Sequence, residues 1–386
     1  MAYDKVVDSA SLDSKLTQVA DAIRTKGNTS ADLQFPSGFI SAIQAIQTGT
    51  ELQIIVSVTS GATVTATKGS LSVSGTAING TCTLIVPEAG TWSVKATLNG
   101  QTSDTKSVTF TDHYAVTLSF VSAVLNDNDW ATIKKISDKG EGANYWSVGD
   151  RKAVTLNGTV GKLTLSNVTT YAFIIGFNHN ASVEGANRIH FQLAKTAISG
   201  GTDVCLCDSK YAADNGWLSA GAGYFVMNAS NTNSGGWKSS QMRTNICGTS
   251  LSSYSGTIIA VIPAALRATL KSVTKYTDNT ANGGGSTASY ITATTDYFFL
   301  LSEFEVFGSI SYGNTNEKNK QAQYAYYSAG NSKIKYKHNG TSAAAIWWLR
   351  SPGDTGSTIF LRVSTDGTVN NVIASYSLGF APGFCV

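Results

Sequence analysis

The first fifty residues carry the clearest helical pattern in the chain. Four apolar side chains recur there at spacings of four, three and four, as in a narrow coiled-coil seam: Leu12, Leu16, Val19 and Ile23. A second, shorter amphipathic helix is predicted after Phe35-Pro36-Ser37-Gly38. Two short helices cannot bury their apolar faces alone. We therefore expect residues 1–50 to oligomerise or attach to a larger assembly, or else to pack on the next domain of their own chain.

A β-pattern replaces the helical one from residue 51. Up to about residue 120, short runs of β-formers alternate with turn signals such as Asn79-Gly80 and Asn99-Gly100. Trp92 alternates with polar neighbours, as a core residue on a strand does. About seven short strands in about seventy residues have the size and rhythm of an immunoglobulin-like sandwich. Cys82 is alone in this segment, so the inter-sheet disulfide of antibody domains cannot form.

Residues 121–386 are predicted to form one large domain of short strands, long polar loops and few helices. The candidate helices are Asp129–Ser137, Pro263–Ala268 and Asn316–Ala329. Two strands joined by Asp366-Gly367 are expected near the end of this segment. The fold class predicted for the whole chain is therefore mainly β with some α.

The strongest strand signal is a pair of adjacent tryptophans, Trp347 and Trp348, in an apolar run that ends at Ser-Pro-Gly. Successive side chains on a strand point to opposite faces, so we predict that one enters the core and the other packs under a loop or a following helix. Arg350 is expected to pair with a carboxylate and pin the turn. Glu303 and Glu305 alternate with apolar residues, which predicts a strand with a solvent face or a structural ion pair.

Composition narrows the possible functions. Charged residues make up only 14% of the chain and the net charge is +3, too small and scattered to indicate a nucleic-acid surface. No run of apolar residues is long enough to span a membrane. The opening residues lack the apolar segment of a secretory signal peptide, so we expect synthesis in the cytoplasm without export. Such a low-charge, β-rich composition is nevertheless typical of extracellular or virion proteins.

The sequence offers little catalytic chemistry. None of its four histidines stands at metal-ligand spacing, and no nucleotide-binding or serine-hydrolase motif is present. Cys205 and Cys207 would share one face of a strand, where a core pair, a local disulfide and a metal site remain alternatives. The redox state of these two and of Cys247 is left open. We predict no enzymatic activity, no metal site and no cofactor; a Ca²⁺ requirement stays possible, although no residue pattern indicates one.

A set of local motifs nevertheless resembles a known family. The motifs are Trp130–Ile133, Trp146–Asp150, Val154–Gly158, Gly235–Arg243, Phe298–Gly308, Tyr327–Asn331 and Trp347–Pro352. Together they resemble the DUF6273-type domain, frequent in phages and prophages of gut Firmicutes and similar to the C-type-lectin-like folds of phage receptor-binding tips. This resemblance spans about two thirds of the chain, and residues 16–46 are similar to the openings of tail or fibre proteins. Related chains tend to close with an Arg-Pro strand, where this one has Gly379–Pro382.

The resemblance implies a phage tail receptor-binding protein. In that interpretation residues 1–50 attach to the tail or baseplate or form a homotrimer, residues 51–120 are an immunoglobulin-like spacer, and residues 121–386 bind a host bacterial surface glycan or protein. The expected location is the virion, with no membrane insertion and no nucleic-acid partner. A bacterial surface adhesin of the same architecture and a glycan-degrading tail depolymerase are the alternatives.

Polar and aromatic side chains on a β-scaffold are adaptable recognition surfaces. Six residues are therefore predicted to contact the ligand: Trp237, Asp354, Arg362, Asn370, Asn371 and Tyr376. The competing interpretation for those near the predicted Asp366-Gly367 turn is a solvated hairpin.

Overall fold

The computed structural model describes residues 9–27, 30–45, 51–211, 218–281, 283 and 285–386. Within them the protein is a mixed α/β fold with several sheets. The chain divides into two compact units, Met1–Phe120 and Val121–Val386. No helix in the described part of the chain is both long and apolar enough to cross a membrane. Parts of the predicted attachment segment, residues 1–8, 28–29 and 46–50, lie outside the described residues.

Two helices open the first unit, α1 (Ser9–Gly27) and α2 (Ser37–Ala45). They pack on each other through a small core in which Ile23 of α1 and Phe39 of α2 are buried. Both helices were predicted from the sequence.

The predicted seam on α1 is split between two environments. Ile23 is buried and Leu16 is half-buried, and both belong to the small core with α2. Leu12 and Val19 remain 45% and 47% exposed. Half of the seam therefore closes the helix pair, and the other half stays open to solvent.

Eight strands follow: β1 (Gln53–Ser57), β2 (Thr63–Lys68), β3 (Leu71–Thr76), β4 (Thr81–Ile85), β5 (Gly90–Leu98), β6 (Gln101–Thr102), β7 (Lys106–Phe110) and β8 (His113–Thr117). One sheet has the order β4-β1-β8, and the other has the order β3-β2-β5-β6 with β7 also paired to β5. Alternate residues of both sheets share one core around Trp92, which is fully buried as predicted.

The two Asn-Gly turns have the backbone that their sequence predicts. Asn79 and Gly80 have φ angles of 50° and 83°, and Asn99 and Gly100 have φ angles of 50° and 80°. A two-residue turn with both angles positive matches the right-handed twist of the strands it joins, and asparagine and glycine adopt it at little cost.

The second unit contains eight short α-helices among its described residues: α3 (Trp130–Asp138), α4 (Gly142–Tyr145), α5 (Ala181–Glu184), α6 (Gly236–Ser239), α7 (Ile258–Val261), α8 (Ala264–Arg267), α9 (Glu303–Phe307) and α10 (Ala325–Ser328). Helix α3 was predicted from the sequence. The Asp129 side chain caps it by accepting a hydrogen bond from the Thr132 N–H at 2.6 Å.

The strands of the second unit are β9 (Arg151–Val160), β10 (Leu163–Phe177), β11 (Ile189–Lys195), β12 (Val204–Cys205), β13 (Val273–Asp278), β14 (Ile291–Asp296), β15 (Phe298–Phe299), β16 (Lys335–Lys337), β17 (Gly340–Ala345), β18 (Trp347–Pro352), β19 (Ile359–Val363), β20 (Val369–Ile373) and β21 (Gly383–Cys385). The largest sheet has the order β15-β21-β11-β10-β9, so β21 lies inside it. All seven residues of β11 are buried, which shows that both faces of this sheet are covered.

A second sheet, β18-β19-β20, carries the predicted tryptophan strand and the predicted hairpin. Trp347 and Trp348 are both fully buried, and their indole N–H groups donate to backbone oxygens of Lys333 and Phe225. Gly367 has a φ of 84° in the turn between β19 and β20. The predicted structural role of both tryptophans is confirmed.

Two predictions about local structure are wrong. Glu303 and Glu305 lie on helix α9 and not on a strand, because Ser302 and Glu305 form a reciprocal capping box that starts a helix. The single helix predicted over Asn316–Ala329 is instead a 3-10 turn at Glu317–Asn319 and the four-residue α10.

Candidate functional site

Trp237 is the first of the predicted ligand residues, and it lies in the core. Its side chain is fully buried on α6, and its indole N–H donates to Asp296 Oδ2 at 3.0 Å. Asp296 also accepts a hydrogen bond from Arg243 Nε at 2.6 Å. This placement favours a structural role for Trp237, because a side chain without exposed surface cannot meet a ligand in the folded protein.

The predicted hairpin brings two of the other residues together. Arg362 on β19 and Asn370 on β20 are directly opposite each other, so their side chains share one face of the sheet. Asn371 pairs with Leu361 on the opposite face. Arg362 Nη1 donates to Ser364 Oγ at 3.0 Å, and Asn370 Oδ1 accepts the Asn371 N–H at 2.8 Å. These contacts show that both side chains take part in the structure of the hairpin itself.

Tyr376 and Asp354 have different surroundings. Tyr376 is half-buried against the core of the unit, beyond the end of β20. Asp354 lies in the loop after β18, where its N–H donates to the Tyr312 carbonyl at 3.0 Å. Its Oδ2 accepts a hydrogen bond from Ser286 Oγ at 3.4 Å. The structure thus distributes the six predicted residues among the core, the hairpin and a loop.

Sequence reasoning did not find a buried ion cluster, which we define as Glu184, Lys275, Glu305, Tyr324 and Arg350. The Lys275 ammonium lies at its centre and donates to Glu184 at 2.6 Å, to Glu305 at 2.9 Å and to the Tyr324 hydroxyl at 2.8 Å. Arg350 binds Glu305 through two guanidinium nitrogens. Two carboxylates thus face two cations, which compensates the charge inside the core.

Among the described residues, one donor set could hold a metal ion, and it shares Glu184 and Glu305 with the cluster. Nitrogen and oxygen atoms of His179, Glu184 and Glu305 lie within 4.8 Å of one another. The Lys275 ammonium, however, already binds both carboxylates and supplies the positive charge that a metal would bring. Burial, reinforced by the nearby charge of Lys275, lowers the pKa of His179 to about 3, so its imidazole is neutral and Lys275 is the cation that the two carboxylates share. The chemistry of this set therefore fits an internal ion pair better than a metal centre.

A cysteine–histidine pair next to this cluster has the form of a catalytic dyad. Cys385 Sγ lies 3.3 Å from His190 Nδ1, which also lies 3.1 Å from the Tyr324 hydroxyl. Both side chains are fully buried, and burial raises the pKa of the Cys385 thiol to about 12. A reactive cysteine needs a thiolate and an open approach, and this environment provides neither.

Among the described residues, the surface best organised for binding is built from four loops, residues 229–235, 280–281 with 285–287, 311–316 and 353–358, which we call the four-loop surface. Asn233 joins the first of these loops to the last. Its buried Nδ2 lies within hydrogen-bonding distance of the carbonyl oxygens of Gly353, Gly356 and Ile359, at 3.3, 2.6 and 3.1 Å. Its N–H donates to the Ser357 carbonyl at 2.8 Å.

Glu303 fixes the third loop from below. One carboxylate oxygen accepts the Ser311 N–H at 2.6 Å, and the other accepts the Gly313 N–H at 2.9 Å. The Tyr312 N–H lies 3.3 Å from both oxygens. Burial raises the pKa of Glu303, while these three backbone donors oppose that rise. Both carboxylate oxygens of Glu303 thus stabilise the backbone of the third loop.

Asp278 and Asn314 join the second and third loops. Asp278 Oδ1 accepts the N–H groups of Thr280 and Ala281 at 3.0 and 2.8 Å. Asn314 Nδ2 donates to Asp278 Oδ2 at 2.8 Å and to the Thr287 carbonyl at 3.0 Å. Both side chains are at most 3% exposed. Buried polar side chains thus fix the backbone of all four loops, which preorganises the surface above them.

The outer side of the four-loop surface is polar and nearly uncharged. Tyr312 is 39% exposed, Ser286 and Thr315 are exposed, and Asp354 is half-buried. The four loop sequences contain no lysine or arginine, and Asp354 is their only charged residue. Sequence reasoning identified Asp354 and missed the rest, because the four segments are polar individually and nothing local indicates that they converge.

One family match was found in comparisons with known proteins. Residues 209–386 match DUF6273, described as a domain of unknown function. The match is shorter than the two thirds of the chain that the motifs suggested, and the three motifs before residue 209 lie outside it. No curated protein and no solved structure matched the chain. Residues 209–386 are therefore a DUF6273 domain, and the whole four-loop surface belongs to it.

Proposed function

We propose that this protein is a phage tail receptor-binding protein that recognises a bacterial surface glycan or protein without transforming it. Residues 121–386 form the binding domain, of C-type-lectin-like type, and residues 51–120 form an immunoglobulin-like spacer. The protein resides in the virion tail. The observation that carries the proposal is a polar, exposed loop surface held rigid by buried side chains, an arrangement suited to recognition.

The distribution of acidic side chains supports binding over glycan cleavage. A glycosidase needs two carboxyl groups that face a substrate. Glu184, Glu303 and Glu305 are fully or almost fully buried. Glu303 uses its oxygens on backbone N–H groups, and Glu305 uses both of its oxygens on cations. These contacts favour structural roles for all three.

Exposed apolar side chains on the two N-terminal helices support self-association. Leu12 and Val19 are about half exposed on α1, and Ile40 and Ile43 are each 54% exposed on α2. The buried core of this helix pair is small, so a further apolar contact would stabilise it. In this proposal three copies associate through residues 1–50, which also attach them to other tail or baseplate proteins. Three binding domains then multiply a weak affinity for a repetitive cell surface.

Adsorption to whole bacteria tests the proposed function. Fluorescently labelled protein is incubated with a panel of Gram-positive gut isolates, and binding is measured by flow cytometry with and without excess unlabelled protein. We expect saturable, competable binding to some strains and no release of reducing ends from their walls. Labelling of phage tails by gold-conjugated antibodies tests the location. The proposal is contradicted if the protein binds none of the strains that are sensitive to the phage. It is also contradicted if soluble sugars are released from the cell walls.

A further inference from the structure

We infer that the four-loop surface is the ligand site of this protein and that its ligand is a neutral, hydroxyl-rich glycan. The inference rests on the proposed receptor-binding function and specifies where the ligand binds and what its chemistry is. It places the ligand site in loops that are far apart in sequence, and not on the β19–β20 hairpin to which the sequence pointed.

The first argument is the cost of holding these loops in place. Asn233, Asp278, Glu303 and Asn314 are each at most 3% exposed. Most of their side-chain hydrogen bonds go to backbone groups of the loops. Burying polar groups is unfavourable unless every one is hydrogen-bonded, and apolar side chains at buried positions often give equal or greater stability. Stability alone therefore does not explain why these four positions are polar. Fixing irregular loops in this way lowers the entropy that a weak ligand must overcome when it binds.

The second argument is charge. The four loops present hydroxyl, amide and carbonyl groups together with the single carboxylate of Asp354. A phosphate-rich or uronate-rich polymer is negatively charged and would be repelled by the carboxylate of Asp354. The four loops contain no lysine or arginine that could attract it. Hydroxyl groups of a neutral sugar can donate to the carboxylate and exchange hydrogen bonds with serine, threonine and asparagine side chains. The surface therefore matches neutral saccharides.

The third argument is the position of Tyr312 relative to Asp354. The Tyr312 N–H is held by Glu303, and its carbonyl accepts the Asp354 N–H at 3.0 Å, so the two residues are fixed side by side. The exposed tyrosine ring offers an apolar face on which the C–H side of a pyranose ring can pack. Asp354 accepts one long hydrogen bond from Ser286, at 3.4 Å, and a carboxylate has further acceptor positions. The residues that supply an aromatic ring and a hydroxyl acceptor thus lie next to each other in the backbone pairing.

Biolayer interferometry on immobilised polysaccharides tests the inference with the full-length protein. The neutral arm contains glucan, galactan, mannan and rhamnan, and the anionic arm contains a glycerol phosphate polymer and hyaluronan. The variants are Tyr312→Ala and Asp354→Ala. Tyr145→Ala is the matched control, because Tyr145 is 39% exposed like Tyr312 and lies outside the four loops. All three replaced side chains are partly or fully exposed, so melting temperatures should stay close to that of the unmodified protein.

We expect binding to at least one neutral polymer and to neither anionic one. Tyr312→Ala and Asp354→Ala should each weaken this binding by about tenfold, and Tyr145→Ala by less than about twofold. The inference is overturned if no neutral polymer binds, if an anionic polymer binds more tightly, or if both loop variants bind as well as the control.

The same variants in the adsorption assay separate this inference from the proposed function. Adsorption to cells that survives Tyr312→Ala and Asp354→Ala leaves a receptor-binding protein whose site is elsewhere, and this inference fails. Binding to a neutral polymer that depends on Tyr312, without adsorption to any cell, supports the site and its ligand class and contradicts the role in host recognition.

Discussion

Arg350 on β18 and Glu305 on α9 form a fully buried, two-pronged ion pair, with Nη2 of the arginine 2.8 Å from Oε1 of the glutamate. Burial alone would raise the pKa of Glu305, but Arg350 and Lys275 outweigh it and hold the pKa below its ordinary value. The Arg350 side chain also donates from Nη1 to the Leu300 carbonyl at 2.9 Å and from Nε to Thr277 Oγ1 at 2.8 Å. One side chain therefore connects a strand, a helix and a neighbouring hairpin.

Replacing Arg350 should be strongly destabilising. Arg350→Met leaves Glu305 charged in the core with Lys275 as its remaining cation, and breaking a buried pair from one side costs about 3–5 kcal/mol in the free energy of unfolding. Urea denaturation of both proteins measures the change. The double variant Arg350→Met/Glu305→Gln should be less destabilised than the sum of the two single variants, because it removes the uncompensated charge. A loss below about 1 kcal/mol for Arg350→Met would contradict this account.

Stability should depend on pH through Glu317. Burial raises the pKa of its carboxyl from 4.5 to about 7, although the Asp278 N–H and the Ser351 hydroxyl donate to it. The folded protein then binds this proton more tightly than the unfolded chain. The contribution of Glu317 is therefore fully present below pH 4.5 and is lost as pH rises through about 7, by up to about 3 kcal/mol.

The variant Glu317→Gln isolates this effect. The difference in unfolding free energy between the two proteins is measured from pH 4 to pH 8, which cancels the opposite contribution of buried His179. We expect Glu317→Gln to gain stability relative to the unmodified protein as pH rises through this range. A difference that does not change with pH would refute the raised pKa.

The rigidity of the four-loop surface can be tested at Asn233. Asn233→Ala removes the donor that faces three carbonyl oxygens and should cost about 1–3 kcal/mol. Asn233→Asp should cost more, because it also places a carboxylate against the same oxygens. Thermal unfolding gives the stabilities, and hydrogen exchange of residues 353–358 shows whether these loops loosen. Asn370→Asp, on an exposed strand position, is the control and should stay within about 0.5 kcal/mol.

Self-association should depend on the exposed half of the α1 seam. We expect light scattering to give a trimer for the unmodified protein and a monomer for Leu12→Lys/Val19→Lys, since two charges on the seam oppose its burial. Circular dichroism should show little change in helix content. Lys15→Glu changes the charge of an exposed position on the same helix and should leave the trimer intact. A monomeric unmodified protein at high concentration would contradict self-association through this seam.

Local chemistry explains what the sequence predicted well. Helix α3, the Asn79-Gly80 turn and the burial of Trp347 each depend on a few neighbouring residues whose conformational preferences agree with the fold. The error at Glu303 and Glu305 has a local cause as well. The alternation of phenylalanine and glutamate favoured a strand, but the Ser302-x-x-Glu305 capping box was also present in the sequence and prevailed.

Long-range pairing explains what could not be predicted. A carboxylate partner for Arg350 was expected and is confirmed, but its identity as Glu305, 45 residues away, depends on how α9 packs beside β18. The four-loop surface presents the same difficulty to a greater degree, since its segments extend from residue 229 to residue 358. Each segment alone is a common Gly/Asn/Ser/Thr loop, and only the fold brings them together.

The position of β21 has a consequence for how the protein is made. This strand pairs with β11 on one side and β15 on the other, yet it is the last of the three to leave the ribosome. The largest sheet cannot be completed while β21 is still inside the exit tunnel. Until then β11 and β15 each present an unpaired strand edge, and the nascent chain must keep these edges from pairing with other strands. Ribosomes that stop shortly before residue 383 should therefore yield aggregating chains and no partially active product.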